Sequence, residues 1–210
     1  MSARVGICDY GVGNLRSVER AVGAAGAEAV VSADPAELAS CDGLVLPGVG
    51  AFTVAASTLR DRGLDAMVAG VARAGRPVLG VCLGFQLLFD ESEEGEGGRG
   101  LGLLPGRVRR LGRERGKVPH MGWNQLALLR PSRLLDGVAD GDRVYFVHSY
   151  AVEPAERGDV VATTEYGGEV VAVVERGAVF GTQFHPEKSG ATGLRVYANF
   201  VSRCAARAAA

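Results

Sequence analysis

Within the first ninety residues, short apolar runs alternate with segments that carry an apolar stripe at helical spacing. Short continuous runs suit strands buried on both faces, and striped segments suit helices laid across them, so the pattern demands a mainly parallel sheet covered by helices. Arg4-Val5-Gly6-Ile7-Cys8 reads as the first strand, and a helix from Asn14 to about Ala25 follows with Leu15, Val18, Val22 and Ala25 on one stripe. Glu28 to Val31 is a second strand, and Asp34-Pro35 offers an N-cap and a first-turn proline for a short helix. Leu44-Val45-Leu46 is a third strand, Thr53 to Ala74 is helical with a break near Gly63, and Pro77-Val78-Leu79-Gly80-Val81 returns as a fourth strand that stops directly before Cys82. Helix resumes at Phe85-Gln86-Leu87-Leu88.

The second half has a different texture. Arg107 to Leu111, Asn124 to Leu129, Val144 to Val147, Val160 to Thr164, Val170 to Val174 and Val179 to Phe184 are strand-like with few helices between them. No Pro/Ser-rich linker intervenes, so an antiparallel extension of the same sheet is expected, within one α/β domain spanning residues 1–210. A closing helix, about Thr192 to Ala206, would lay Leu194, Val196, Tyr197, Phe200 and Val201 on the sheet.

Charge excludes some functions. Lysine plus arginine number 23 against 24 acidic residues, which leaves no field to attract a polyanion, so no nucleic-acid partner is expected. Six cations between Arg107 and Lys117 lie near an acidic, glycine-rich stretch at Glu91 to Glu96, and read either as a solvated hairpin and loop or as a docking surface. Met1-Ser2-Ala3-Arg4 runs straight into a strand-like segment without the apolar stretch of a secretory signal, and no run is long enough to cross a bilayer. Cys8, Cys41, Cys82 and Cys204 are scattered, with no paired or metal-ligand spacing, which implies free thiols, a cytoplasmic location, no metal and no cofactor.

Gly80-Val81-Cys82-Leu83-Gly84 has the form of a nucleophile elbow with cysteine in place of serine, set between a predicted strand and a predicted helix. Small neighbours are needed because a sharp, strained turn leaves no room beside the backbone. A helix N-terminus also favours the thiolate through its unpaired amides and dipole. A thiol still needs a base, and one of only three histidines lies in Gln183-Phe184-His185-Pro186-Glu187, after a strand and two residues before a carboxylate. A lone buried cysteine is usually core filler and a lone His-Pro-Glu usually a turn; both at strand ends of one sheet point instead to nucleophilic catalysis. Pro47-Gly48-Val49-Gly50 follows the third strand and could supply an oxyanion donor from Val49 or Gly50, beside one from the amide of Leu83. Gly11-Val12-Gly13-Asn14 lacks the third glycine of a dinucleotide loop and reads as a tight turn. Cys8, Cys41 and Cys204 have no nearby base and read as structural.

Cys82 in its elbow together with His185-Pro186-Glu187 resembles the class I (triad) glutamine amidotransferases, along nearly the whole chain. More narrowly, five blocks in order are similar to the glutaminase subunits of imidazole glycerol phosphate synthases of histidine biosynthesis. They are Asp9 to Leu15, Pro47 to Phe52, Lys117 to Asn124, Tyr145 to Tyr150 and His185 to Ser189. The resemblance implies a flavodoxin-like fold, with Cys82 attacking glutamine, His185 as acid and then base, and Glu187 orienting His185. It also implies glutamine contacts at Gly48, Gln86, Ser149 and Tyr150. Asn14, His120, Trp123, Tyr145 and Lys188 would lie near the ammonia exit and the interface with a β/α-barrel synthase subunit, the heterodimer partner. Two departures stand out: Phe85 occupies an elbow position where methionine is expected, and Tyr166-Gly167-Gly168-Glu169-Val170 lacks the usual proline or aromatic. A rival enzyme reading gives the ammonia another acceptor, such as chorismate, a nucleotide or a pyridoxal precursor; a rival outside catalysis makes the triad vestigial in a binding subunit.

Overall fold

In the computed structural model, residues 2–208 are described except 113 and 115, so Arg113 and Arg115 of the basic stretch lie outside the described residues. The first half runs β1 (Arg4–Cys8), α1 (Leu15–Ala24), β2 (Glu28–Ser32), α2 (Pro35–Ala39), β3 (Gly43–Leu46), α3 (Phe52–Asp61), α4 (Leu64–Arg73), β4 (Val78–Val81) and α5 (Leu83–Leu87). The second half holds β5 (Phe89–Ser92), β6 (Gly98–Arg99), β7 (Leu104–Arg110), β8 (His120–Gln125), β9 (Ala127–Leu128), β10 (Arg143–His148) and β11 (Tyr150–Pro154). β12 (Val160–Glu165), β13 (Glu169–Arg176), β14 (Val179–Thr182) and α6 (Gly190–Ala208) complete it. Local rules account for several boundaries: the Asp34 carboxylate accepts from the amide of Ala36 ahead of Pro35, and Gly63 at φ +67° separates α3 from α4.

The main sheet has eight strands in the order β2-β1-β3-β4-β14-β13-β12-β9. β2, β1, β3, β4 and β14 are parallel, and β13, β12 and β9 continue antiparallel. Alternate residues of the strands feed two cores. On one face Val5, Ile7, Val45, Leu79 and Val81 meet Val18 and Val22 of α1 and Val196, Tyr197 and Phe200 of α6. On the other, Leu44, Leu46 and Val78 meet Leu38, Phe52, Leu59, Val68 and Phe85 of the remaining helices. Leu194, expected on the sheet side of the closing helix, stands at the edge of that stripe and is 46% exposed, while Cys204 takes an inner position.

The expected single extension is corrected in four respects. Val179–Thr182 belongs to the parallel part, paired with β4. The strand at Arg107 to Leu111 joins a four-stranded sheet, β11-β7-β5-β6, and the one at Val144 to Val147 pairs with β8 in a two-stranded ribbon. Asn124 to Leu129 is two strands, because buried Leu126 turns the chain from the ribbon into the edge of the main sheet. Alternation marks a strand but carries no information about its partner. The acidic stretch lies beside the basic one, since Glu93 accepts from the amide of Arg110 at 2.8 Å and lies 4.0 Å from Arg109; Glu153 of β11 meets Arg107 at 3.1 Å and Arg109 at 3.2 Å.

Phe85, the departure in the elbow, packs against Gly181 of β14; a Cβ there would stand 1.9 Å from the ring. Gly181→Ala should therefore lose about 1–3 kcal/mol through overpacking. Adding Phe85→Met, a side chain able to yield, should restore part of that loss. Urea unfolding of wild type, both single variants and the double variant checks the coupling.

Candidate active site

Cys82 follows β4 without a spacer and opens α5. Its backbone lies at φ +54° and ψ −109°, the only positive φ of a non-glycine residue among those described. Such a conformation costs about 1–3 kcal/mol and persists only when the surroundings over-determine it. Here they do: the Cys82 amide donates to the Thr182 carbonyl at 2.8 Å, and the start of α5 is pressed against the end of β3. A Cβ on Gly84 would stand 1.8 Å from the Leu46 carbonyl oxygen, and one on Gly80 2.7 Å from the Gly84 carbonyl oxygen. The small residues of the elbow are thus demanded by contact, as the sequence pattern implied.

His185 follows β14, the strand beside β4, so the elbow and the histidine leave the sheet at the same end. Its Nδ1 lies 2.8 Å from Oε1 of Glu187, with the two side chains only 3% and 2% exposed. A carboxylate accepts, so Nδ1 carries the hydrogen and Nε2 is the working nitrogen. Nε2 is buried without a hydrogen bond of good geometry. Burial disfavours charge on the ring, but the Cys82 sulfur and the Glu187 carboxylate together outweigh it and push its pKa up from 6.5 to about 10. The sulfur and the ring are therefore within interaction range without a closed hydrogen bond, as is common before a substrate tightens a site.

A cavity of about 350 Å³ opens on the sulfur, lined among others by Val49, Gly50, Cys82, Leu83 and Gln86. Ser149 and Tyr150 also line it. A groove of about 690 Å³ beside Arg133 and Asn199 is larger but is lined by no cysteine or histidine. The amide of Leu83 belongs to the first turn of α5, whose donors have no intrahelical acceptor. Gly48 serves packing: a Cβ there would stand 2.9 Å from the Gly84 nitrogen. Glu94 also lines the cavity and accepts from the amide of Phe52 at 2.7 Å. Nothing local in the sequence separates Glu94 from the other acids of its glycine-rich loop.

The residues expected near an exit divide into two groups. Trp123 (56% exposed) stacks edge-on with Tyr145 at 6.2 Å, and the Lys188 ammonium lies 5.8 Å from the Tyr145 ring centre; Asn14 is exposed at the start of α1. His120, by contrast, is 2% exposed and sandwiched between Phe146 and Tyr166. Cys8, Cys41 and Cys204 are buried free thiols, and burial pushes Cys8 and Cys204 up to about 12.

The family described as glutamine amidotransferase class-I matches residues 6–204. The imidazole glycerol phosphate synthase subunit HisH of Geobacillus kaustophilus is 54% identical over 94% of this chain and 95% of its own length. The subunit of the same name from Natronomonas pharaonis is 50% identical over 98% and 97%. Among solved structures, PurLQS from Thermotoga maritima superposes with a TM-score of 0.76 at 22% identity, covering 96% of this chain and 99% of that one, which shows a shared fold.

Because the folded ring of His185 holds its proton more tightly than an unfolded histidine, its stabilising contribution is complete below about pH 6.5 and is lost as pH rises towards about 10. Glu187→Gln should flatten that alkaline fall in stability. Urea midpoints measured across this interval for both proteins check the sign.

Proposed function

The chain belongs to the class-I glutamine amidotransferases, and on that premise we propose that it is the glutaminase subunit of an imidazole glycerol phosphate synthase, with Cys82, His185 and Glu187 as its catalytic triad. The observation that carries this reading is the buried 2.8 Å His185–Glu187 pair beside a strained cysteine at the mouth of a substrate-sized cavity. The Cys82 sulfur attacks the side-chain amide carbon of glutamine while the amides of Leu83 and of Val49 or Gly50 receive the oxyanion, each such donor being worth about a hundred- to a thousandfold in rate. The carbon–nitrogen bond then breaks, and His185 passes its Nε2 proton to the departing nitrogen, which leaves as ammonia. The resulting glutamyl thioester has no charge on sulfur, so one of the two influences that raise the ring's pKa is gone. The neutral ring takes a proton from water, the hydroxide opens the thioester, and glutamate is released with the sulfur restored. Gln86, Ser149 and Tyr150 line the glutamine pocket, and Gly48 supports it from behind by letting β3 and α5 approach.

Ammonia free in water is mostly ammonium and no longer nucleophilic, so its use demands a guarded transfer. The partner is a β/α-barrel synthase subunit that docks over Trp123, Tyr145, Lys188 and Asn14, takes up the ammonia and makes imidazole glycerol phosphate and AICAR for histidine biosynthesis in the cytoplasm. The identity of about half the residues with synthase subunits, over nearly the full length of each, favours this acceptor over chorismate, a nucleotide or a pyridoxal precursor. A vestigial triad is disfavoured by the backbone strain retained at Cys82.

Cys82→Ala, assayed with the partner present, should lose synthesis from glutamine while retaining synthesis from ammonium salts. Loss of both activities would overturn the division of labour, and glutamine-dependent synthesis in the variant would overturn the role of Cys82.

A further inference from the structure

Gln183 lies between β14 and His185, is 0% exposed, and takes no part in the triad. Its Nε2 lies 3.8 Å from the Cys82 sulfur, within reach of an N–H···S hydrogen bond, and its Oε1 accepts from Gln86 Nε2 at 3.2 Å. We propose that Gln183 is a further catalytic residue, whose amide donates to the Cys82 sulfur and stabilises the thiolate. The inference rests on reading Cys82 as the nucleophile.

The direction of that amide follows from its neighbours. His148 Nδ1 lies 2.9 Å from the Tyr150 carbonyl oxygen, an atom that only accepts, so Nδ1 carries the hydrogen. Burial holds His148 and His120 at about 3 and about 4, hence neutral, so His148 Nε2 accepts from His120 Nδ1 at 2.9 Å. His120 Nε2 is left as the acceptor facing Asn124 Nδ2 at 3.4 Å. The same Tyr150 carbonyl accepts from Gln86 Nε2 at 2.8 Å, so the two amide hydrogens of Gln86 go to Tyr150 and to Gln183. Only donors then remain on the Gln183 nitrogen that faces the sulfur.

Besides the His185 ring, the sulfur faces the Val147 carbonyl oxygen at 3.8 Å, which accepts from the thiol and turns unfavourable once the proton leaves. Gln183 thus supplies a neutral side-chain donor that favours the ionised sulfur, beside the charged support of the His185 ring. Charge-assisted hydrogen bonds are about twice as strong as neutral ones, so the contact strengthens as the thiol ionises.

The test is the pH dependence of Cys82 alkylation by iodoacetamide in the full-length chain, with the modified residue identified by mass spectrometry. Gln183→Met, which keeps the volume, and Gln183→Glu, which keeps the bond from Gln86, should both move the alkylation midpoint upward by about one pH unit, or about tenfold in thiolate at a given pH. With the barrel subunit present, turnover of glutamine should fall while its KM is kept. An unchanged midpoint in either folded variant would overturn the proposal. A measurement on wild type covers the case in which neither variant folds: the ¹⁵N-labelled side-chain amide signal of Gln183 should shift with the alkylation midpoint and stop shifting in Cys82→Ala. A signal indifferent to that titration would equally overturn it. Absence of Cys82-dependent glutamine hydrolysis in wild type would instead remove the glutaminase reading, leaving the sulfur–amide contact to be judged by the titration alone.

Discussion

Cys82 holds a backbone conformation that no isolated cysteine would choose, and the packing around it is arranged to keep it there. The amide is fixed by Thr182, the following helix is pressed onto the end of β3, and neither Gly80 nor Gly84 has space for a methyl group. The strain is about 1–3 kcal/mol, small against two cores that cover both faces of the sheet. It lifts the sulfur from the strand end into the cavity, where a relaxed turn would leave it against the sheet. Phe85 and Gly181 belong to the same device, since the ring that fills the space under the elbow requires a bare backbone opposite.

On the proposed mechanism, catalysis on this frame is a matter of where one proton resides. Glu187 fixes the tautomer of His185 and supports positive charge on it, and the sulfur adds a second support that exists only while it is not acylated. In that mechanism a ring whose proton affinity falls when the thioester forms would serve first as acid and then as base with no change of position. The buried histidines His120 and His148 are held at the opposite extreme, neutral and hydrogen-bonded to each other, so the protein's three histidines occupy two distinct electrostatic settings.

The surface tells a similar story of compensation. Arg107 and Arg109 are met by Glu153, and these exposed pairs contribute little stability singly but leave the basic stretch without a large unbalanced field. Trp123 and Met121 instead stand exposed, at 56% and 61%. Such exposed apolar side chains belong to the face on which the proposed partner would dock.

Much was legible from residues alone because it depends on neighbours in sequence. The strands and helices of the first ninety residues, the Asp34 cap, the break at Gly63 and the elbow glycines all follow from local pattern and local steric demand. His185 and Glu187 could be paired because two residues separate them. What only tertiary structure decided depends on partners far along the chain: that β14 lies parallel beside β4 and so delivers His185 to Cys82, and that β7, β8 and β10 leave the main sheet. The contact of Gln183 with a sulfur 101 positions away is of the same kind. A strand's alternation states which face is buried, whereas its hydrogen-bonding edges are the same for every sequence, and so the choice of neighbour is made by the packing of the whole.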